Sequence, residues 1–213
     1  MENARQTRFD RRFELAATVL LAMAAVATAW ASYQSARWRG EQAKASGASI
    51  AARVESTRAA SLANRNGQVD VALFTQWVDA YVREETELAD FYLRRFRDEF
   101  RPAFRAWVAT RPRLNRSAPL SPFAMPEYTL AATAEANDLE ARAAAFSVRV
   151  GQFIQRADNY SLAVVMFAAS LFFAGISTRL RSPTPRMVVL GLGCCLFAGS
   201  VIWIATFPVS LSV

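Results

Sequence analysis

The sequence predicts an all-α fold, with three transmembrane helices and an extramembrane antiparallel three-helix bundle continuous with the first and second of them. Three observations carry this prediction. Residues 15–33, 160–177 and 187–207 are apolar runs without a formal charge, and about 20 such residues let a helix cross roughly 30 Å of hydrocarbon. Between the first two runs, large apolar residues recur at three- and four-residue spacing, the period of an amphipathic helix. Residues 34–64 are rich in Ala, Arg and Glu and contain no Pro, so nothing there forbids a helix.

Taken in order, residues 1–13 form a basic tail carrying Arg5, Arg8, Arg11 and Arg12, and residues 14–33 form the first span. The same leader, followed by the small residues Ala27 to Ala29, also has the form of a cleavable signal peptide. The apolar run is long for such a segment and leads into a helical pattern through Trp30 and Tyr33, which favours a retained span.

Residues 34–158 make the extramembrane domain. Its first helix continues the span to about Asn64, where "NRNG" stops it, with Gly67 suited to a left-handed residue. Asp70 then caps a second helix, in which Phe74, Trp77, Val78, Tyr81, Leu88, Tyr92, Phe96, Phe100, Phe104 and Trp107 form one large, mostly aromatic face. Pro102 lacks an N–H and clashes with the preceding turn, so it kinks this helix near Asp98 or starts a new segment. Pro112, Pro119, Pro122 and Pro126 mark a loop. A third helix begins near Glu127. Leu139, Ala143, Phe146, Val150, Phe153, Ala157 and Tyr160 step along it by four and three as a packing seam that runs into the second span. Residues 159–178 are that span, 179–186 a basic loop, 187–207 the third span and 208–213 a C-terminal tail.

The net charge is +7, with one Lys among 25 basic residues against 18 acidic ones. Its distribution argues against a nucleic-acid partner. Residues 34–158 are close to neutral, and seven arginines lie instead in the tail and in the 179–186 loop, which two crossings place on the same side. Five basic residues (Arg37, Arg39, Lys44, Arg149 and Arg156) flank the spans on the other side. The positive-inside rule therefore favours a cytoplasmic N-terminus and an extracytoplasmic domain.

The stretch "FYLRRFRDEFRPAFRAW", residues 91–107, interleaves aromatics with arginines. At about 100° per residue the aromatics fall on one side, as core, and the arginines on another. Asp90 with Arg94 and Arg95 with Glu99 are spaced for ion pairs, and Asp98 reaches Arg94 or Arg101. Arg97, Arg101 and Arg105 form the candidate interaction surface, facing solvent, anionic headgroups or the carboxylates of a partner. Arg156, Asp158 and Asn159 form a polar cluster at the membrane interface, where anchoring and capping explain them more cheaply than an ion path does. Gly191, Cys195 and Gly199 recur every four residues and suit close helix packing in a membrane.

Without a His, neither a Ser/His/Asp nor a Cys/His site is available. No phosphate-binding glycine loop and no paired-cysteine metal spacing is present. The adjacent Cys194 and Cys195 point about 100° apart on a helix; they read as packing residues, with palmitoylation the alternative. Glu84, Glu85 and Glu87 read as a solvated face. The expectation is a protein that is not an enzyme, with no cofactor, metal or small-molecule substrate. Its partners are the lipid bilayer and further copies of itself or another membrane protein. The runner-up is a subunit of an oligomeric channel or transporter.

The stretches "ATVLLAMAAVATAWASYQSARWRGEQA", "FRDEFRPAFRAW", "PFAMPEY" and "ADNYSLAVVMFAASLFFAGIS" resemble an uncharacterised group of bacterial integral membrane proteins. Members of that group have one N-terminal and two C-terminal transmembrane helices around a helical domain. The resemblance implies a bacterial inner-membrane setting and no particular chemistry.

Overall fold

The computed structural model describes the backbone of residues 2–180 and 182–209 and the side chains of 11–180 and 182–209. The expectations placed on the side chains of Arg5 and Arg8, on Arg181 and on residues 210–213 lie outside this range.

Among the described residues the structure is all-α: α1 (Glu2–Val82), α2 (Thr86–Arg95), α3 (Arg101–Ala109), α4 (Ala131–Ser177) and α5 (Pro183–Ala205), with a 3-10 turn at Pro122–Ala124. Three of these helices, α1, α4 and α5, are long and apolar enough to cross a membrane. The chain divides into two compact units. Residues 1–47 and 146–213 form the first, and residues 48–145 the second. The second unit is thus shorter than the 34–158 domain expected from the sequence.

In unit 1, α1 and α4 pack antiparallel through small residues. Ser35 Oγ lies 3.1 Å from the Ala157 carbonyl, to which it donates, and 2.9 Å from Ser161 Oγ. Ala31 and Trp38 pack with Ala157, Tyr160, Ala163 and Phe167, while Phe13, Ala17 and Leu20 pack with Ala174 and Leu190. Alanine at seven-residue intervals (Ala17, Ala24, Ala31) presents almost no bulk, so the two backbones approach closely and Ser hydroxyls can reach the opposite carbonyls. The third apolar helix, α5, joins through Gly193, whose missing side chain admits the Phe173 Cβ and the Ser170 carbonyl, each at 3.4 Å from an added Cβ. Ser170 Oγ donates to the Gly193 carbonyl at 2.9 Å.

In unit 2 the same antiparallel pairing of α1 with α4 recurs, as Ser49 Oγ donates to the Ala143 carbonyl and Ser56 Oγ to the Ala136 carbonyl, at 3.0 and 2.9 Å. Of the expected seam, Ala143, Ala157 and Tyr160 are buried and Leu139, Phe146, Val150 and Phe153 half-buried. The expected stop at residues 64–67 does not occur. Gly67 and Asp70 lie inside α1, and Asp70 is fully buried instead of capping a helix. The helix survives a mid-helix glycine because that costs only about 1 kcal/mol, whereas the buried residues Ala52, Ala59 and Ala63 hold this part of α1 in its packed register.

The real stop comes at Val82. Glu84 takes a left-handed backbone (φ 63°), the Glu85 N–H reaches the Ala80 carbonyl and the Glu84 N–H the Tyr81 carbonyl, a Schellman ending. The single aromatic helix expected over 70–107 is therefore three pieces: the end of α1, then α2, then α3. Phe96 turns extended (ψ 135°), and α3 starts at Arg101 with Pro102 in its first turn, where the missing N–H costs nothing. The helix after the loop starts at Ala131, four residues later than Glu127.

Candidate functional site

The aromatic face gathers into one cluster in unit 2. Phe96, Phe100 and Phe104 are buried, with Leu73, Phe74, Trp77, Trp107, Phe123 and Tyr128 packed around them. Phe100 stacks on Phe123 at 5.1 Å and meets Phe96 edge-on at 5.0 Å. Breaking the helix after Arg95 lets α3 lay its aromatics across those of α1, which a single straight helix could not do.

On one side of this cluster the packing opens into a groove of about 730 Å³. Trp77 and Tyr81 stack at 5.0 Å along α1, and Phe104 meets Trp77 edge-on at 4.8 Å from α3. Trp107 and Val108 continue the wall, and Arg111 and Arg113 complete the lining. The Trp107 indole N–H is already engaged, donating to the Pro119 carbonyl at 2.8 Å. Arg113 stands 5.7 Å above the Tyr81 ring. Arg111 holds a left-handed backbone (φ 52°) just past the end of α3, a conformation disfavoured for residues other than glycine. Proline follows it at 112, closing the helix.

Away from the groove lies a polar network that the sequence reading did not assemble. Asp70 Oδ2 accepts from Arg97 Nη1 at 3.0 Å and from the Tyr128 hydroxyl at 3.2 Å. Arg97 also pairs with Glu99, and Glu99 Oε1 accepts the Ala131 N–H at 3.0 Å, capping the start of α4. Burial pushes the Asp70 carboxyl above its ordinary range, against the opposing pull of Arg97 and Tyr128. The Tyr128 hydroxyl is pushed up to about 12, first by burial and then by the Asp70 charge.

This network removes Arg97 from the expected three-arginine surface. The two acids of Arg97 are Asp70, reaching it from α1, and Glu99, two residues further along the chain. Arg105 is exposed, and Arg101 pairs with Asp98 at 2.8 Å while also donating to the Arg94 carbonyl. Arg95 lies over the Phe91 ring at 3.4 Å and leaves Glu99 to Arg97.

The other expected clusters are in unit 1. Arg156 sits 4.7 Å above the Trp38 ring, Asn159 is half-buried and Asp158 is exposed, so the three do not converge on one point. Gly191, Cys195 and Gly199 share the exposed side of α5, with nothing within 4 Å of a Cβ added at either glycine. The helix packs within the chain through Leu190, Gly193 and Ser200 instead. Among the described residues no group of three or more Cys, Asp or Glu is placed to hold a metal ion.

Comparison with protein-family models, curated proteins and solved structures finds no match to this chain. Among the described residues, fold and site together define an all-α protein with three membrane-length helices and a second helical unit that bears an aromatic groove.

Proposed function

We propose that this chain is a non-enzymatic helical interaction protein, anchored by three spans in a bacterial inner (cytoplasmic) membrane. Its N-terminus is cytoplasmic, unit 2 is extracytoplasmic, and it acts by binding. The observation that carries the reading is the groove. It is an aromatic-walled concavity whose volume falls in the range of roughly 300 to 1,000 Å³ seen for binding sites, and it leaves Val82, Val108 and Leu114 exposed. Large apolar side chains gathered at one concave place mark a surface that another molecule covers. The exposed small face of α5 supports association with further copies or with another membrane protein, since Gly191 and Gly199 let a neighbouring helix come close.

A photo-crosslinking side chain at Val108, compared with one at the exposed Ala51, tests this in native membranes. The expected result is a discrete, saturable adduct from Val108 alone. Equal, diffuse labelling from both positions would overturn the reading, and single-channel conductance by the purified protein would replace it with that of a channel subunit.

A further inference from the structure

The groove of unit 2 joins an apolar body to a purely cationic rim. Its walls are aromatic and aliphatic, the Trp107 N–H is already engaged, and the charged residues that line it are Arg111 and Arg113. Neither guanidinium is paired with an acid among the described residues. Arg83, which could have competed for an anion, is bound to Asp79 at 3.1 Å, and Glu84 and Glu85 of the adjoining turn are not part of the lining.

We infer that this groove binds a single-chain anionic amphiphile, a fatty acid, with its alkyl chain against Trp77, Tyr81 and Phe104 and its carboxylate between Arg111 and Arg113. The inference rests on the groove being a binding site and adds what occupies it. Three features select this class. A volume of about 730 Å³ has ample room for an alkyl chain. A guanidinium fork presents paired N–H donors that match the two oxygens of a carboxylate. A site that offers cations and no carboxylate at its charged end favours an acid over an alcohol of the same length.

Backbone strain at the rim points the same way. Arg111 ends α3 in the left-handed conformation that glycine adopts most readily, as Glu84, outside the lining, does at the end of α1. An arginine at such a place is disfavoured relative to glycine, and here it supplies one of the two rim cations. Arg113, whose guanidinium stands over Tyr81 at a long 5.7 Å and pairs with no acid among the described residues, can turn toward an arriving anion.

The test uses the full chain in nanodiscs of zwitterionic phospholipid, with a dansyl-labelled fatty acid as reporter and empty nanodiscs as the blank. Dodecanoate should displace the reporter saturably, and at least about tenfold better than dodecan-1-ol, as expected when a charge-assisted hydrogen bond separates the two ligands. In Arg111→Gly combined with Arg113→Gln this preference should collapse towards parity. Glu84→Gly, which relieves the same kind of backbone strain without touching the rim cations, should keep it. Both glycine substitutions should leave the melting temperature unchanged or raised. Equal displacement by acid and alcohol on the unaltered chain would overturn the inference without any variant, as would non-saturable displacement. A preference that survives loss of both arginines would also overturn the head-group assignment. A protein adduct at Val108 with no fatty-acid displacement would sink the amphiphile and leave the interaction reading standing.

Discussion

Replacing Phe100 with Ala lowers the stability of unit 2 by about 3 to 5 kcal/mol, the cost of emptying a fully buried phenylalanine site whose walls cannot collapse. Phe100 has no exposed surface. It touches rings contributed by α1, by the segment before α3 and by the loop: Phe74 at 6.2 Å, Phe96 at 5.0 Å, Phe123 at 5.1 Å and Tyr128 at 5.9 Å. Each such ring pair adds roughly 0.5 to 1.5 kcal/mol beyond area burial, so the loss should sit at the upper end. Val108→Ala, at a groove wall already 44% exposed, should cost far less. Denaturant titration of both variants checks this. A loss below about 1 kcal/mol for Phe100→Ala would mean that the aromatic cluster is not the core of the unit.

Removing Arg97 has the second-largest effect. Arg97→Met leaves the Asp70 carboxylate buried with only the Tyr128 hydroxyl for company, and stranding a buried charge costs about 3 to 5 kcal/mol when fully enclosed. Because a quarter of the Arg97 side chain is exposed, a loss of about 2 to 4 kcal/mol is expected. Asp70→Leu with Arg97→Met should recover much of it, since an apolar pair strands no charge. Arg105→Gln should stay within about 0.5 kcal/mol, as exposed positions do.

The pH dependence has a definite sign. Asp70 holds its proton in the fold more tightly than in the unfolded chain. Its contribution is therefore fully present below the ordinary carboxylate range and is lost as pH rises through the raised value. The Arg97→Met penalty should accordingly shrink on acidification. Tyr128 behaves likewise at the alkaline end. Stability should fall as pH climbs from the ordinary 10 towards 12, and Tyr128→Phe should remove that component.

The parts of this molecule legible in the sequence are those set by local pattern. The charge-free lengths at residues 15–33, 160–177 and 187–207 correspond to parts of α1, α4 and α5. Pro102 correctly marks the beginning of a helix, and the spacing from Phe74 to Trp107 gathers residues that do form one cluster. The uninterrupted course of α1 was also written in the chain, in small residues broken once by Trp38: positions 17, 24, 31, 38, 45, 52 and 59 keep a seven-residue spacing, all Ala but the fourth, up to the supposed stop at "NRNG". Gly67 and Asp70 were read as local punctuation because glycine and aspartate usually serve turns and caps. Here Asp70 answers to Arg97, 27 residues away, and to Tyr128, 58 residues away. No local rule reports a partner at that distance.

The groove was illegible for the same reason. Arg111 and Arg113 looked like loop charges, and only the docking of α3 against the end of α1 brings them beside Trp77 and Tyr81. The small face of α5 was readable as a stripe, but its direction was not. Gly193, one residue pair away from the stripe, is the glycine that packs within the chain, while Gly191 and Gly199 face outward.

Thiol labelling in intact cells tests the membrane-anchored arrangement most directly. In a Cys194→Ser, Cys195→Ser background, one cysteine is placed at Ser117, exposed in the loop between α3 and the 3-10 turn, and another at Ser182, exposed before α5. With unit 2 extracytoplasmic, a membrane-impermeant reagent added outside should modify Ser117→Cys and leave Ser182→Cys untouched until the cells are permeabilised. Labelling of Ser182→Cys alone would contradict the orientation, and equal labelling of both positions would contradict the three-span membrane arrangement itself.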